Sequence, residues 1–100
     1  MIKFCIYILE LEDNKYYVGC SENLSKRLAR HRKGDGAVWT KLHKIVNLIK
    51  YIEVASFDKD KEREITLETM LKYGWQNVRG AAWTAHNLKN APVAIRELIK

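Results

Sequence analysis

Phe4-Cys5-Ile6-Tyr7-Ile8-Leu9-Glu10-Leu11, followed after a polar break by Tyr16-Tyr17-Val18-Gly19, is the stretch from which the fold can be read. Side chains alternate across a strand, so Phe4, Ile6 and Ile8 share one face while Cys5, Tyr7 and Leu9 share the other. Both faces are apolar, which predicts a strand covered on both sides, or a central one. Glu12-Asp13-Asn14-Lys15 has turn composition, and the second run is rich in β-formers up to Gly19. Together they predict a β-hairpin. A glycine ending a strand marks a close backbone approach or an unusual turn.

Working outward, Ser21 and Asn23 are good N-caps for a helix running to about Lys33, which Gly34-Asp35-Gly36 ends. Asn47 to Ser56 reads as a third strand. Asp58 or Asp60 caps a second helix to about Tyr73, closed by Gly74, and Pro92 opens a last short helix to Ile99. The expected class is α/β (α+β), in the order β-β-α-β-α with a short helical tail. The sheet is three-stranded and mainly antiparallel, and the long link between the second and third strands excludes a simple meander.

The chain has 100 residues, enough for one domain and a modest core, so chemistry near the surface is expected over a large enclosed cavity. Eighteen Lys and Arg against twelve Asp and Glu give a net charge of +6, a field that favours polyanions, nucleic acid before anionic membrane. Solubilising surface charge is the bland alternative. No apolar run approaches the ~20 residues that span a bilayer, and the first residues lack a secretory pattern. Cys5 and Cys20 are too few for a disulfide scaffold and lack zinc spacing, so they read as reduced thiols of an intracellular protein.

Both long helices carry charge beside their apolar stripe. On the first, Leu24, Arg27, Leu28 and His31 fall within about a third of the circumference, with Lys26, Ala29, Arg30 and Lys33 outside. Arg27 and His31 are thus held against the body, either for function or as a snorkelling Arg and a His at the helix C-terminal dipole. On the second, Glu64, Leu67, Glu68 and Leu71 share a face. Glu68 either pairs with Lys72 in solvent or faces inward as a carboxylate for a hard cation.

Cys5-Ile6-Tyr7 and Tyr17-Val18-Gly19, with the segment Ser21 to His31, resemble the motifs of the GIY-YIG endonuclease superfamily. The likeness runs from about Phe4 to Gly80, leaving residues 81–100 as a tail packed on the core of a single domain spanning 1–100. Cys5 stands where the family motif has Gly. The resemblance implies an intracellular, metal-dependent endonuclease that hydrolyses phosphodiester bonds in DNA, with RNA not excluded and a role in DNA repair or recombination. It maps the metal ligand to Glu68, with Glu64 as the alternative if the helix register differs, and the late Asn of the family to Asn77. One Mg²⁺ (or Mn²⁺) on Glu68 would neutralise charge at the phosphate that Arg27 grips. Tyr7 or Tyr17, with Tyr17 favoured, would take the proton of the attacking water. His31 would relay it or touch the phosphate, and Lys26, Arg30, Arg32 and Lys33 would follow the nucleic-acid backbone. A protein partner or homodimer would supply targeting, and no membrane is involved. The alternative is a nucleic-acid-binding module with the same fold and little or no cleavage.

Overall fold

The two-sided apolar strand lies where its pattern requires, inside the sheet. In the computed structural model, which describes residues 4–85 and 88–98, β1 (Phe4–Leu11) pairs antiparallel with β2 (Lys15–Ser21) on one side and β3 (Ile45–Val54) on the other. Asp13 and Asn14, both at positive φ, turn the hairpin, a conformation short polar side chains tolerate. Ile99, the expected end of the last helix, lies outside the described residues.

α1 (Leu24–Arg32) starts at Asn23, whose side chain accepts from the Lys26 N–H. α3 (Lys59–Tyr73) starts at Asp58, which accepts from the Lys61 N–H, and stops at Gly74, φ 94°. These caps satisfy amides that a helix end leaves orphaned. The tail helix α4 (Val93–Leu98) follows Pro92.

Two elements go beyond the expected order. α2 (Val38–Leu42) is one short helix between α1 and β3, and β4 (Val78–Gly80) joins the sheet parallel to β2, giving the order β3-β1-β2-β4. Both are too short, at five and three residues, to show a period.

The sheet separates two apolar clusters. Ile6, Val18, Val78 and Ile95 pack with Ile65 and Met70 of α3, whereas Tyr7, Leu9, Leu11 and Trp39 pack on the α1 and α2 side with Leu24 and Leu28. Each such fully buried side chain contributes about 1.5–3 kcal/mol. The face α3 buries is Ile65, Thr66, Thr69 and Met70, not the Glu64–Leu67–Glu68–Leu71 face. Its threonines return their hydroxyls to helix carbonyls, Thr66 to Glu62 and Thr69 to Ile65, each at 2.7 Å. They therefore bury as methyl groups, while Glu64, Glu68 and Leu71 are exposed.

Candidate active site

The register of β1 on β2 sets Tyr7 directly opposite Gly19. A Cβ at Gly19 would overlap the end of the Tyr7 ring, so the phenol occupies space only glycine leaves open. Tyr7 is fully buried, and its hydroxyl lies 2.9 Å from Nε2 of His31. Tyr17 stands beside both, its ring centroid 6.4 Å from Tyr7 and 5.5 Å from His31. Arg27, one turn before His31 on α1, is half-buried against the same group.

The electrostatics tie the group together. Burial raises the Tyr7 phenol above its ordinary range; the neighbouring Tyr17 and Glu62 add to this, and the Arg27 guanidinium opposes it. Burial and Glu62 likewise raise Tyr17, again against Arg27. His31 is pushed down to about 4 by burial, then by the charges of Arg27 and Arg30, so it is neutral at pH 7. Cys20 is raised to about 11 by burial and by Glu62.

Glu62 is thus the carboxylate felt at this site. It sits in the first turn of α3. β4 pairs with β2 only as far as Val18, so the β2 edge from Gly19 to Ser21 has no strand beside it. The charge of Glu62, which lines a depression with Phe57, Lys59, Asp60, Arg63, Ala81 and Ala82, acts on both tyrosines and on Cys20. Burial raises its own carboxyl above the usual carboxylate range. Such a group, half-buried and without an ion pair to any described residue, suits a hard cation that keeps most of its waters. Among the described residues no group of three or more His, Cys, Asp or Glu is placed to hold a metal ion.

The structure does not bring Glu68 to this group. Glu68 is exposed and lines a depression with Ile8, Ile49, Lys50, Lys72 and Tyr73. Glu64 is exposed as well, because both lie off the buried Ile65–Met70 face. Asn77 is also elsewhere. Its amide donates to the Tyr73 carbonyl at 2.9 Å and accepts from Lys15 Nζ at 2.9 Å, which ties the end of α3 to the start of β2. The spacing that finds Glu62 was present in the sequence: it precedes Ile65, Thr66 and Thr69 by three, four and seven positions. With two threonines in that set, the stripe does not read as apolar.

His31 is held from a second side. Its Nδ1 lies 3.1 Å from the hydroxyl of Thr40 on α2, and a Cβ at Gly36 would overlap that ring nitrogen. Of the expected backbone-tracking residues, Lys26 and Arg30 are exposed on the outer side of α1. Arg32 and Lys33 line a half-open cleft with Lys41 and Lys44, two cations the sequence reading did not single out. No helix among the described residues is long and apolar enough to cross a membrane.

The small mixed sheet thus gathers two motif tyrosines beside a histidine and an arginine of α1. The chain belongs to the GIY-YIG family, whose catalytic domain matches residues 3–74; Asn77 falls outside that match. Nucleases of this family use divalent metal ions and act on nucleic acid. A UPF0213 protein of Bacillus cereus is 34% identical over 70 residues, covering 70% of this chain and 69% of its own length. A UPF0213 protein of Streptococcus pneumoniae is 37% identical over 70 residues, with coverage of 70% and 67%. One from Pediococcus pentosaceus reaches 44% over 59 residues, 59% of each chain. No solved structure matches the chain.

Proposed function

We propose that this chain is a divalent-metal-dependent endonuclease that hydrolyses phosphodiester bonds in DNA, with Glu62 rather than Glu68 as the carboxylate for Mg²⁺ or Mn²⁺. The observation that carries the reading is the packed group of Tyr7, Tyr17 and His31, with Arg27 and Glu62 acting on both tyrosines by their charge. A bound ion would offset charge at phosphorus and on the leaving oxygen. Arg27 would grip the same phosphate through its planar fork of donors.

Tyr7 is the better general base. A free phenolate is disfavoured there, since burial raises Tyr7. The phenol instead passes its own proton to the neutral His31 while its oxygen takes the proton of water. His31 is a weak base in the free protein because Arg27 and Arg30 repel its proton. A bound phosphodiester offsets those charges, so the relay strengthens when substrate is present. Tyr17, half-buried beside both rings, would orient the attacking water. The cleft of Arg32, Lys33, Lys41 and Lys44 would carry the flanking strand.

The test is cleavage of a supercoiled plasmid and a branched DNA with Mg²⁺ or Mn²⁺ and with EDTA. Wild type should cut only with metal. Glu62→Gln should lose about a hundredfold or more in rate, while Glu68→Gln stays within about twofold of wild type. Loss in Glu68→Gln with activity kept in Glu62→Gln would return the metal role to Glu68. Tight DNA binding with no product from wild type would leave a binding module.

A further inference from the structure

We propose that Thr40 is a positioning residue whose buried hydroxyl sets the tautomer of His31, so that Nε2 is the nitrogen able to accept a proton from Tyr7. The inference rests on the proposed function for its catalytic meaning, but its structural part stands on geometry alone.

Thr40 is 2% exposed, and its Oγ1 lies 2.8 Å from the carbonyl oxygen of Ala37. Two oxygens at that separation need a hydrogen between them, and the carbonyl has none to give. The single hydroxyl proton of Thr40 is therefore committed to Ala37. Toward His31, 3.1 Å away, Oγ1 has only lone pairs to offer, so Nδ1 must carry the hydrogen. The neutral ring then presents a lone pair at Nε2, and the Tyr7 hydroxyl, 2.9 Å off, donates to it. The proton order along Tyr7, His31, Thr40 and Ala37 is fixed from its far end by a backbone carbonyl.

The ring has little freedom to escape this choice. Gly36 lies against the ring at Nδ1, and the rings of Tyr7 and Tyr17 meet it edge-on with centroids 6.0 and 5.5 Å away. The Ala37 carbonyl is in turn held at the start of α2, where it also accepts the backbone N–H of Thr40 and Lys41. In the relay, an O–H bond of water breaks as an O–H forms on Tyr7, and the former Tyr7 O–H breaks as N–H forms at Nε2. No electrons change hands. With hydrogen on Nε2 instead, the ring would donate to Tyr7 and the proton of water would have nowhere to go.

The experiment reads the tautomer directly on the full chain, by long-range ¹H–¹⁵N correlation of the His31 ring in the wild type, Thr40→Ser and Thr40→Val. It is paired with single-turnover cleavage of plasmid DNA in Mg²⁺. Wild type and Thr40→Ser should show hydrogen on Nδ1 and a free Nε2. Thr40→Val keeps the shape of threonine but should shift the ring toward hydrogen on Nε2, with a fall of about 10- to 100-fold in the chemical rate and an unchanged KM. A wild-type ring with hydrogen on Nε2 overturns the proposal without any variant, so it stays open to refutation even if Thr40→Val fails to fold. An unshifted ring in folded Thr40→Val overturns it too. If wild type shows the Nδ1–H tautomer and Thr40→Val shifts it, but wild type cuts no DNA, the proposed function fails while control of the ring by Thr40 is upheld.

Discussion

Two buried basic side chains, Arg79 on β4 and His31 on α1, are each 3% exposed, and each is fully supplied with partners, but of opposite kinds. Arg79 donates to the carbonyls of Ala85 at 2.6 Å, Val78 at 2.8 Å and Trp75 at 3.1 Å, and its guanidinium lies 4.3 Å from the centre of the Trp39 ring. Carbonyls only accept, so every hydrogen there has one place to be. His31 sits between two hydroxyls, Thr40, which accepts from Nδ1, and Tyr7, whose proton faces the Nε2 lone pair. The first arrangement pins chain segments together, and the second leaves a proton able to move. Burial of a basic group is therefore no sign of chemistry in itself; the chemistry lies in what surrounds it.

The largest effect that tests this contrast is on stability. Arg79→Met should destabilise the fold by about 3–5 kcal/mol, because several buried carbonyls lose their donors together. The fraction that remains folded should cut DNA at the wild-type rate. Urea titration and cleavage per folded molecule measure the two separately, and a rate that falls with stability held would give Arg79 a place in the site.

The next effect is in pH. The folded chain resists protonation of His31 down to about pH 4, whereas an unfolded His accepts a proton near 6.5. Between those values the unfolded state binds more protons, so stability falls as pH drops from 6.5 to 4, by up to about 3 kcal/mol from this ring alone. Above pH 6.5 the ring is neutral in both states and contributes no slope. His31→Gln should remove that part of the pH dependence in urea titrations, and identical slopes in the two proteins would show that His31 is not held neutral. Arg79, charged throughout this range, should contribute nothing to it.

The smallest expected effect lies outside both buried groups. Lys41 and Lys44 are exposed at the basic cleft. Lys41→Ala with Lys44→Ala should leave stability within about 0.5 kcal/mol and weaken DNA binding several-fold, with a salt dependence shallower by about two phosphate contacts. Fluorescence anisotropy across a salt series reads this, and an unchanged slope would remove the cleft from the DNA path.

Much of this was legible before the fold was known, and the reasons are local. Strand alternation places Tyr7 and Tyr17, and the helix that Asn23 starts holds Arg27 and His31 against the body, but their roles at a site come from the resemblance of Cys5-Ile6-Tyr7, Tyr17-Val18-Gly19 and the segment to His31. Glu62, the carboxylate proposed for the metal, does not stand out in the sequence because α3 buries threonines beside its aliphatic residues and exposes Leu71, so that apolar character does not mark the inward face. Thr40 was hidden because α2 is five residues long and its role depends on a carbonyl three positions back, which composition does not reveal. Asn77 shows the converse: a residue of suitable type whose bonds are used in closing a helix end.

The short strand β4 has a consequence for how this molecule reaches its working form. Tyr7, Tyr17, Arg27 and His31 all lie within the first 31 residues, in elements joined by brief connections. Glu62 depends on α3, and α3 is secured where the chain returns beside β2, with Lys15 and Asn77 meeting across a separation of 62 positions. Closing so long a loop is a slow, late event in folding. A chain still short of it, such as one emerging from the ribosome, already has its tyrosines and arginine but not the carboxylate proposed for the metal. On the proposed function, a chain at that stage would lack its metal ligand and should not cut the nucleic acid around it.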